Sequence, residues 1–459
     1  MKKIVYKEVP SPKKSDNLIQ VSLSDETMKE RQEKVLDLIK KHNYDALVVY
    51  ADIEHGRNFE YLTGFRTRFE ESLLVYHKDG TAYLLLGNEN TKMCAHSRIK
   101  ANLIHQSYFS LPYQPMESEN VEESLERAGI KKGMKVGLAG WKYFAYTDKK
   151  RQLFDAPYFI VDAIMNLIGD RNLLENACDI FIGAEEGVRL VNNANELAHY
   201  EFGAALAGNC MYDTVEAFEV GKSEMEIASH LEKYGQPNSL VTICSSGERF
   251  VNANLYPSEQ KVQIGDRVSL SSSFKGGACC VAGYAVHNEN ELPEGKQDFI
   301  EVLSKPYFNA ITAWLTEIHI GMKGKEMYEH MEELLPKEIF GWTLNPGHQV
   351  ADEEWMTSTI YPGSEVELKS GMILQLDIIP KRDGYAGTGI ETTIALADEK
   401  LRGEIEKQYP ELHKRINRRR EYLKNIIGID LPEEVLPFSD LLAYSRPYLL
   451  SKNKALCWE

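Results

Sequence analysis

The chain lacks any run of about 18 consecutive apolar residues, so no segment reads as a membrane span. Its opening, MKKIVYKEVPSPKKSDN, is basic but has no apolar core, so a secretory leader is not expected. Cysteine is sparse: seven in 459 residues, with no C-x-x-C spacing. An odd, scattered set of this kind in an unexported protein predicts reduced thiols and a cytoplasmic location. Positive charge is also short, with 53 Lys and Arg against 69 Asp and Glu, a net charge of −16. That balance argues against binding a phosphate backbone, so no nucleic-acid partner is expected. The basic run Arg415 with Arg418-Arg419-Arg420 is short, is flanked by Glu421, and reads as a solvated helix face.

What is present is ordinary for a globular protein, with 43% hydrophobic and 27% charged residues. The length suits two or three domains with their own cores. Residues 1–23 are polar and proline-bearing and read as an extended N-terminal arm. A helix is expected after Ser24, with Met28, Val35 and Ile39 on one face. Asp45–Tyr50 reads as a buried strand. Asp79-Gly80 sits between two apolar runs and predicts a tight hairpin, because Gly supplies the positive φ that such a turn needs. Helices and strands alternate to about residue 183, which predicts an α/β first domain over 24–186.

A long helix is expected from Asn195 to Glu219, its stripe marked by Leu197, Ala204, Met211, Val215 and Phe218. Gly221-Lys222-Ser223-Glu224-Met225 closes it and opens a second helix, and strands follow from Val241 to about His287. The pattern then recurs. Phe299–Ile318 reads as a helix broken at Pro306, Gly324-Lys325-Glu326-Met327 opens another that stops at Pro336, and strands run from Thr357 to Leu396. Matching signals about 100 residues apart suggest a duplicated helix–helix–sheet unit over 187–402. The tail, 403–459, reads as a helical and extended cap.

Within this second region lie Gly265-Asp266-Arg267-Val268-Ser269-Leu270-Ser271, Ala282-Gly283-Tyr284, Gly347-His348, Leu376-Asp377 and Ile390-Glu391-Thr392-Thr393. Their order and spacing resemble the pita-bread peptidases: aminopeptidase P, prolidase, methionine aminopeptidase and the metal-free creatinase. Asn58-Phe59-Glu60-Tyr61-Leu62-Thr63-Gly64-Phe65 is similar to a segment of the creatinase-type N-terminal domain. The resemblance implies an α/β creatinase-type domain followed by an α+β pita-bread domain, assembled as a homodimer. It also implies five metal-ligand positions, filled in the metal-dependent members by Asp, Asp, His, Glu and Glu. Here they read Ser271, Ala282, His348, Asp377 and Glu391. Two further family histidines are replaced by Asn254 and Trp355, and neither substitute exchanges a proton near neutral pH.

Two divalent ions about 4 Å apart repel by something of order 20 kcal/mol even at an effective dielectric near 20. With Asp377 and Glu391 as the remaining carboxylates at the ligand positions, a dimetal centre is not expected. The cofactor expectation is none, with one Mn or Zn ion on His348, Asp377 and Glu391 as the alternative. Without metal, Asp377 and Glu391 sit on strands joined by a glycine-rich connection, and a close pair would raise one pKa. His348, Asp377 and Glu391 are therefore the candidate catalytic residues. Arg66, Arg68, Asn254 and Trp355 are candidate substrate-binding residues; in dimeric relatives the Arg66 and Arg68 region reaches towards the partner's active site. Cys279-Cys280 reads as small buried side chains, with a thiolate nucleophile paired to His348 as the alternative.

The function expected is that of a divergent Xaa-Pro aminopeptidase- or dipeptidase-like protein. It would bind a small peptide or amino-acid-like ligand, with metal-free or single-metal hydrolysis of a C–N bond. The alternatives are a non-catalytic pseudopeptidase and an active Xaa-Pro metallopeptidase with a rearranged metal site.

Overall fold

Ser24 ends the N-terminal arm by accepting the Thr27 amide on its hydroxyl, which caps the helix Asp25–Lys41. Met28, Val35 and Ile39 are its buried stripe, as the spacing predicts. The computed structural model describes residues 3–114 and 119–459. They fall into two units, Leu23–Leu190 and Met1–Ser22 with Val191–Glu459. The first strand, β1 (Ile4–Glu8), belongs to the latter.

The unit Leu23–Leu190 is built on β2 (Ala46–Ala51), β3 (Ser72–His77), β4 (Ala82–Leu86), β5 (Asn102–His105), β6 (Val136–Ala139) and β7 (Leu174–Asn176). Their order is β5-β4-β3-β2-β6-β7, with β2–β3 and β3–β4 antiparallel and the other pairs parallel. Every residue of β2 is buried, the mark of a strand covered on both faces. Gly80 adopts φ +89° at the β3–β4 turn, where its amide donates to the His77 carbonyl. Leu125, Ile160 and Ile164 come from the helices Val121–Arg127 and Tyr158–Ile168 and pack into one core with Val48, Leu73 and Leu138.

The other unit carries β8 (Ile243–Ser246), β9 (Arg267–Phe274), β10 (Gly277–Tyr284), β11 (His348–Gln349), β12 (Ile373–Leu376), β13 (Gly389–Leu396) and β14 (Val435–Pro437). The order is β11-β12-β13-β10-β9-β8, with β14 added to β13, and all pairs are antiparallel. The last strand, β15 (Lys454–Trp458), pairs with β1 and so joins the two chain ends. The helix Ala194–Ala217 starts at an Asn193/Glu196 capping box. It is buried over far more than one stripe, Glu196, Glu201 and Asn209 included, because β9 and β10 cover one side and the helix Glu399–Gln408 another.

The duplication is visible in backbone hydrogen bonds. In the first half, the Gly221 amide (φ +86°) donates to the Val262 carbonyl, three residues before Gly265 (φ +87°). In the second, the Gly321 amide (φ +90°) donates to the Leu368 carbonyl, three residues before Gly371 (φ +89°). A helix follows each of the first glycines: Glu224–Ala228 after Gly221 and Gly324–Leu334 after Gly321. A strand follows each of the second: β9 after Gly265 and β12 after Gly371. The two halves meet where β10 pairs with β13. Pro306 sits in the first turn of the helix Lys305–Glu317, which runs on directly from a π-helical turn over Ile300–Ser304, so the helix expected in 299–318 is not broken there: proline in a first turn displaces no intrahelical donor.

One expectation is overturned. The basic run at 415–420 is not a solvated face. Arg419 is only 3% exposed, and its guanidinium donates to Glu201 Oε1 (2.8 Å), Asp440 Oδ1 (3.1 Å) and the Pro437 carbonyl. Arg415 also donates to Glu201, Arg418 to Asp440, and Arg420 to the carbonyls of Leu431, Pro432 and Val435. Glu201 comes from far back in the sequence and the other acceptors from the segment 431–440 that follows the helix, so a run that looks solvated in one dimension is enclosed in three.

Candidate active site

A row of side chains crosses the sheet where the two halves meet. Ser271 on β9 faces Cys280 on β10, and Cys280 faces Glu391 on β13. Leu376 pairs with Thr392, so one further step of register puts Asp377 opposite Glu391. Directly opposed residues share a face, and the row therefore ends in two carboxyl groups. The Ser271 hydroxyl is occupied by Cys280 Sγ at 3.2 Å. Gln375, two residues before Asp377 and on its face, donates from Nε2 to Glu391 Oε1 (2.9 Å) and to the Ala278 carbonyl. Its Oε1 accepts from the Thr393 hydroxyl (2.6 Å), so the amide is held at both ends and Glu391 is fixed with it.

His348 pairs with Gln375 across β11–β12 and projects onto the same face. It is fully buried. Its Nδ1 lies 3.3 Å from the Gln349 carbonyl oxygen, which makes Nδ1 the donor and leaves Nε2 to face the carboxyl groups. Nε2 lies 3.0 Å from Glu354 Oε1, an ion-pair separation, and 3.7 Å from Asp377 Oδ2, beyond hydrogen-bond reach. Nε2 of His348 and Oδ1 of Asp377 are both buried without a hydrogen-bond partner. One atom from each of His348, Asp377 and Glu391 falls within 4.8 Å of the others.

Glu354 is the residue that sequence reasoning missed. It lies in the loop between Gln349 and Thr357, whose ends are closed by the Gln349 amide on the Thr357 carbonyl and the Met356 amide on the Gln349 carbonyl. The loop is pinned at its middle, where Asp352 accepts from the Tyr200 hydroxyl (3.0 Å) and the Ala351 carbonyl accepts from the Gly276 amide (2.6 Å). The acidic run Asp352-Glu353-Glu354, a few residues after His348, was the available signal. The next residue, Trp355, stacks on the His348 ring at 4.0 Å between centroids and 20° between planes, while remaining 39% exposed.

Burial and charge divide the roles of these groups. Burial opposes an imidazolium at His348, and the adjacent Glu354 carboxylate overcomes it, holding the imidazole above its ordinary pKa. Burial likewise opposes ionisation of Glu354, and His348 overcomes it, keeping that carboxyl below its usual range. Asp377 is pushed up to about 6 by burial, against the pull of His348. Glu391 is held well above the carboxylate range by burial and by the charges of Asp377 and Glu354. Both carboxyls of the expected pair rise, because desolvation acts on each. Burial also pushes the Cys279 and Cys280 thiols well up, a setting for neutral thiols rather than thiolates.

The cluster thus gathers His348, Asp377, Glu391 and Trp355, with Ser271 in the same cross-strand row. Ala282 pairs with Gly389, two residues along from Glu391. Asn254 is exposed in the turn after the helix Gly247–Val251, its amide donating to the Arg249 carbonyl, and is not part of the group. Arg66 and Arg68 lie in the other unit. Arg66 donates twice to the Ile53 carbonyl (2.9 and 2.6 Å), and Arg68 lies 5.5 Å over the Phe69 ring.

Residues 198–398 match metallopeptidase family M24. This is an M24, pita-bread domain. The fold agrees along most of the chain with solved relatives of low identity. An Xaa-Pro dipeptidase from Bacillus anthracis superposes with a TM-score of 0.61 at 15% identity, covering 81% of this chain and 96% of that one. A prolidase from Thermococcus sibiricus gives 0.63 at 18%, covering 82% and 96%. A dipeptidase from Pyrococcus horikoshii OT3 gives 0.60 at 19%, covering 80% and 94%. At these identities the likeness speaks for the fold alone. Comparison with curated proteins gives no match. Among the described residues, no helix of the M24 domain or of the N-terminal unit is long and apolar enough to cross a membrane.

Proposed function

We propose that this chain is a divergent Xaa-Pro dipeptidase-type protein that binds a short peptide or amino-acid-like ligand and hydrolyses a C–N bond without a dimetal centre. The observation that carries the reading is the asymmetry of the duplicated domain. The half built on β12 and β13 supplies Asp377 and Glu391, with His348 on the adjoining β11. The half built on β9 and β10 offers Ser271, whose hydroxyl is engaged by Cys280, and Ala282, which has no donor. That set does not fit two divalent ions, which need bridging carboxylates from both halves, and no step is drawn through such a pair.

A single divalent ion does fit, because His348 Nε2 and Asp377 Oδ1 are buried without partners and an imidazole with two carboxylates suits Zn or Mn. When bound on His348, Asp377 and Glu391, it would supply Lewis-acid polarisation of a substrate carbonyl. Without the ion, the chain's own groups supply the acid and the base. Asp377, with its pKa near 6, is largely ionised at neutral pH and can take a proton from an attacking water. Glu391, held well above the carboxylate range by burial and by the charges of Asp377 and Glu354, is the candidate proton donor to the departing nitrogen in the ion-free cluster. The half-exposed face of Trp355 offers a stacking surface to the ligand while holding the His348 ring in place.

The complete burial of His348 beneath Trp355 favours a second reading, a pseudopeptidase that binds without turnover. Assay of Xaa-Pro dipeptides with and without EDTA, and in Glu391→Gln, separates the two. Turnover lost in Glu391→Gln supports the hydrolase. Ligand-dependent thermal stabilisation with no turnover supports the pseudopeptidase.

A further inference from the structure

We infer that the M24 domain holds an apolar side-chain subsite beside its carboxyl pair, floored by Ala282, Gly387 and Gly389 and walled by Phe250. It takes the compact apolar side chain of one residue of the ligand. This deepens the proposed reading of the cleft and rests on it. Register sets the place. Ala282 pairs with Gly389 on one side and with Ser269 on the other. These lie two residues along from the row of Ser271, Cys280 and Glu391, so the two rows share a face and stand about 7 Å apart. His348, paired with Gln375, lies on the opposite side of the carboxyl row. The order along the cleft is therefore His348 under Trp355, then Asp377 and Glu391, then the floor of small residues.

The floor is uncovered. On this face Ser269, Cys280, Ala282, Gly389 and Glu391 are part-accessible, whereas Val268, Val281 and Ile390, which point the other way, are buried. Apart from its chain neighbours, nothing lies within 4 Å of the place where a Gly389 side chain would begin. A side chain on Gly387 would begin 3.2 Å from Ala282 Cβ and 3.9 Å from the tip of the Phe250 ring, which closes one wall. Phe250 is half-buried on the helix Gly247–Val251. Arg267, one row further out on the same face, donates to the Gly384 carbonyl (2.9 Å) at the rim. A glycine inside a strand marks a place where another group comes close. A second observation points to a ligand: beside the floor, Asp377 Oδ1 and His348 Nε2 are buried without hydrogen-bond partners, and polar atoms at that depth are normally satisfied. A few convergent polar atoms next to an apolar lining is the composition of a ligand pocket. The floor itself carries no charge and no donor side chain, so it selects by size and polarity. Each methylene buried there adds to binding, and a charged side chain would be desolvated without a partner.

The test is calorimetric binding of the dipeptides Ala-Gly, Ala-Leu and Leu-Gly to the full-length protein, with turnover followed in parallel. In the wild type, one of the two leucine peptides should bind about tenfold tighter than Ala-Gly. Ala282→Leu fills the floor and should bring that peptide to within about twofold of Ala-Gly, with an unchanged far-UV circular dichroism spectrum. Phe250→Ala widens the wall and should move the preference from leucine to phenylalanine at the same position, which decides the matter if Ala282→Leu does not fold. A leucine preference that survives in both variants would overturn the inference, as would a wild type that binds the three peptides equally. Either result leaves the hydrolase reading standing on its own turnover assay. The expected preference without turnover would sustain the subsite and overturn the hydrolysis. No binding of any of the peptides would overturn both.

Discussion

Ser271 and Asp377 occupy the same position in the two halves of the M24 domain. Each is the sixth residue after a left-handed glycine, 271 − 265 and 377 − 371, with φ +87° at Gly265 and +89° at Gly371. Each lies at the sheet row that ends at Glu391. The pseudo-symmetry therefore identifies which half carries a carboxylate at this place and which a hydroxyl.

Carboxylates at both first-half positions should admit a second ion to the cluster. The Ser271→Asp, Ala282→Asp double variant should raise Mn(II) content from one to two equivalents, read by mass spectrometry after gel filtration. Gly387 lies beside Ala282, and its missing side chain leaves space there. An unchanged stoichiometry in a folded double variant would show that the two positions no longer address the cluster.

Asp377 should make ion-free stability depend on pH. Its folded pKa, about 6, lies above the ordinary value of 3.8, so the folded state binds its proton more tightly than the unfolded chain. Stability is then lost as pH rises from about 4 to about 6, by about 3 kcal/mol. Asp377→Asn should match the wild type below pH 4 and exceed it by that order above pH 6, in urea denaturation with EDTA present. A variant that is less stable at neutral pH would contradict the assignment.

The buried cluster of Glu201, Arg415, Arg419 and Asp440 gives the opposite sign. Burial opposes the Asp440 charge, but Arg419 overrides it and holds the carboxyl below its usual range. Its contribution is present above the unfolded pKa and lost as pH falls through the lower folded one. Arg419→Ala should cost about 3–5 kcal/mol by leaving Glu201 and Asp440 buried without their partner. Asp440→Asn should flatten the acid limb of the stability curve. Denaturant midpoints between pH 2 and pH 7 check both.

Trp355 should contribute to ligand binding more than to folding, because its ring is part exposed while stacked on His348. Trp355→Ala should weaken an Xaa-Pro dipeptide or product analogue by about 2–10-fold, the worth of one aromatic stacking contact. Trp355→Phe should recover most of the loss, and the thermal midpoint should move little in either. Equal affinity in Trp355→Ala would place the ligand elsewhere.

Much of the fold was legible along the chain. Because caps and left-handed turns are local chemistry, Ser24 announces a helix start, Asp79-Gly80 announces a hairpin, and the Gly-Lys signals at 221 and 324 announce a repeat, although the structural counterpart of Gly221 is the left-handed Gly321, three residues earlier than the matched Gly324. The spacing of positions 271, 282, 348, 377 and 391 carried the pita-bread likeness for the same reason: each lies at a set place on a strand or beside a turn. Glu354 was not legible. Nothing local distinguishes it from Asp352 or Glu353, and only the closing of the 349–357 loop brings it to His348.

The amino-acid sequence by itself determined the elements, the duplicated order and the absence of carboxylates at Ser271 and Ala282. The tertiary structure alone decided that Arg419 is a buried clamp, that Trp355 covers His348, and that His348, Asp377 and Glu391 converge from one half of the domain with Glu354 against His348. The physical reason is range. Capping, turn and periodicity preferences act over a few residues, whereas desolvation and charge pairing depend on which distant segments the sheet register brings into contact.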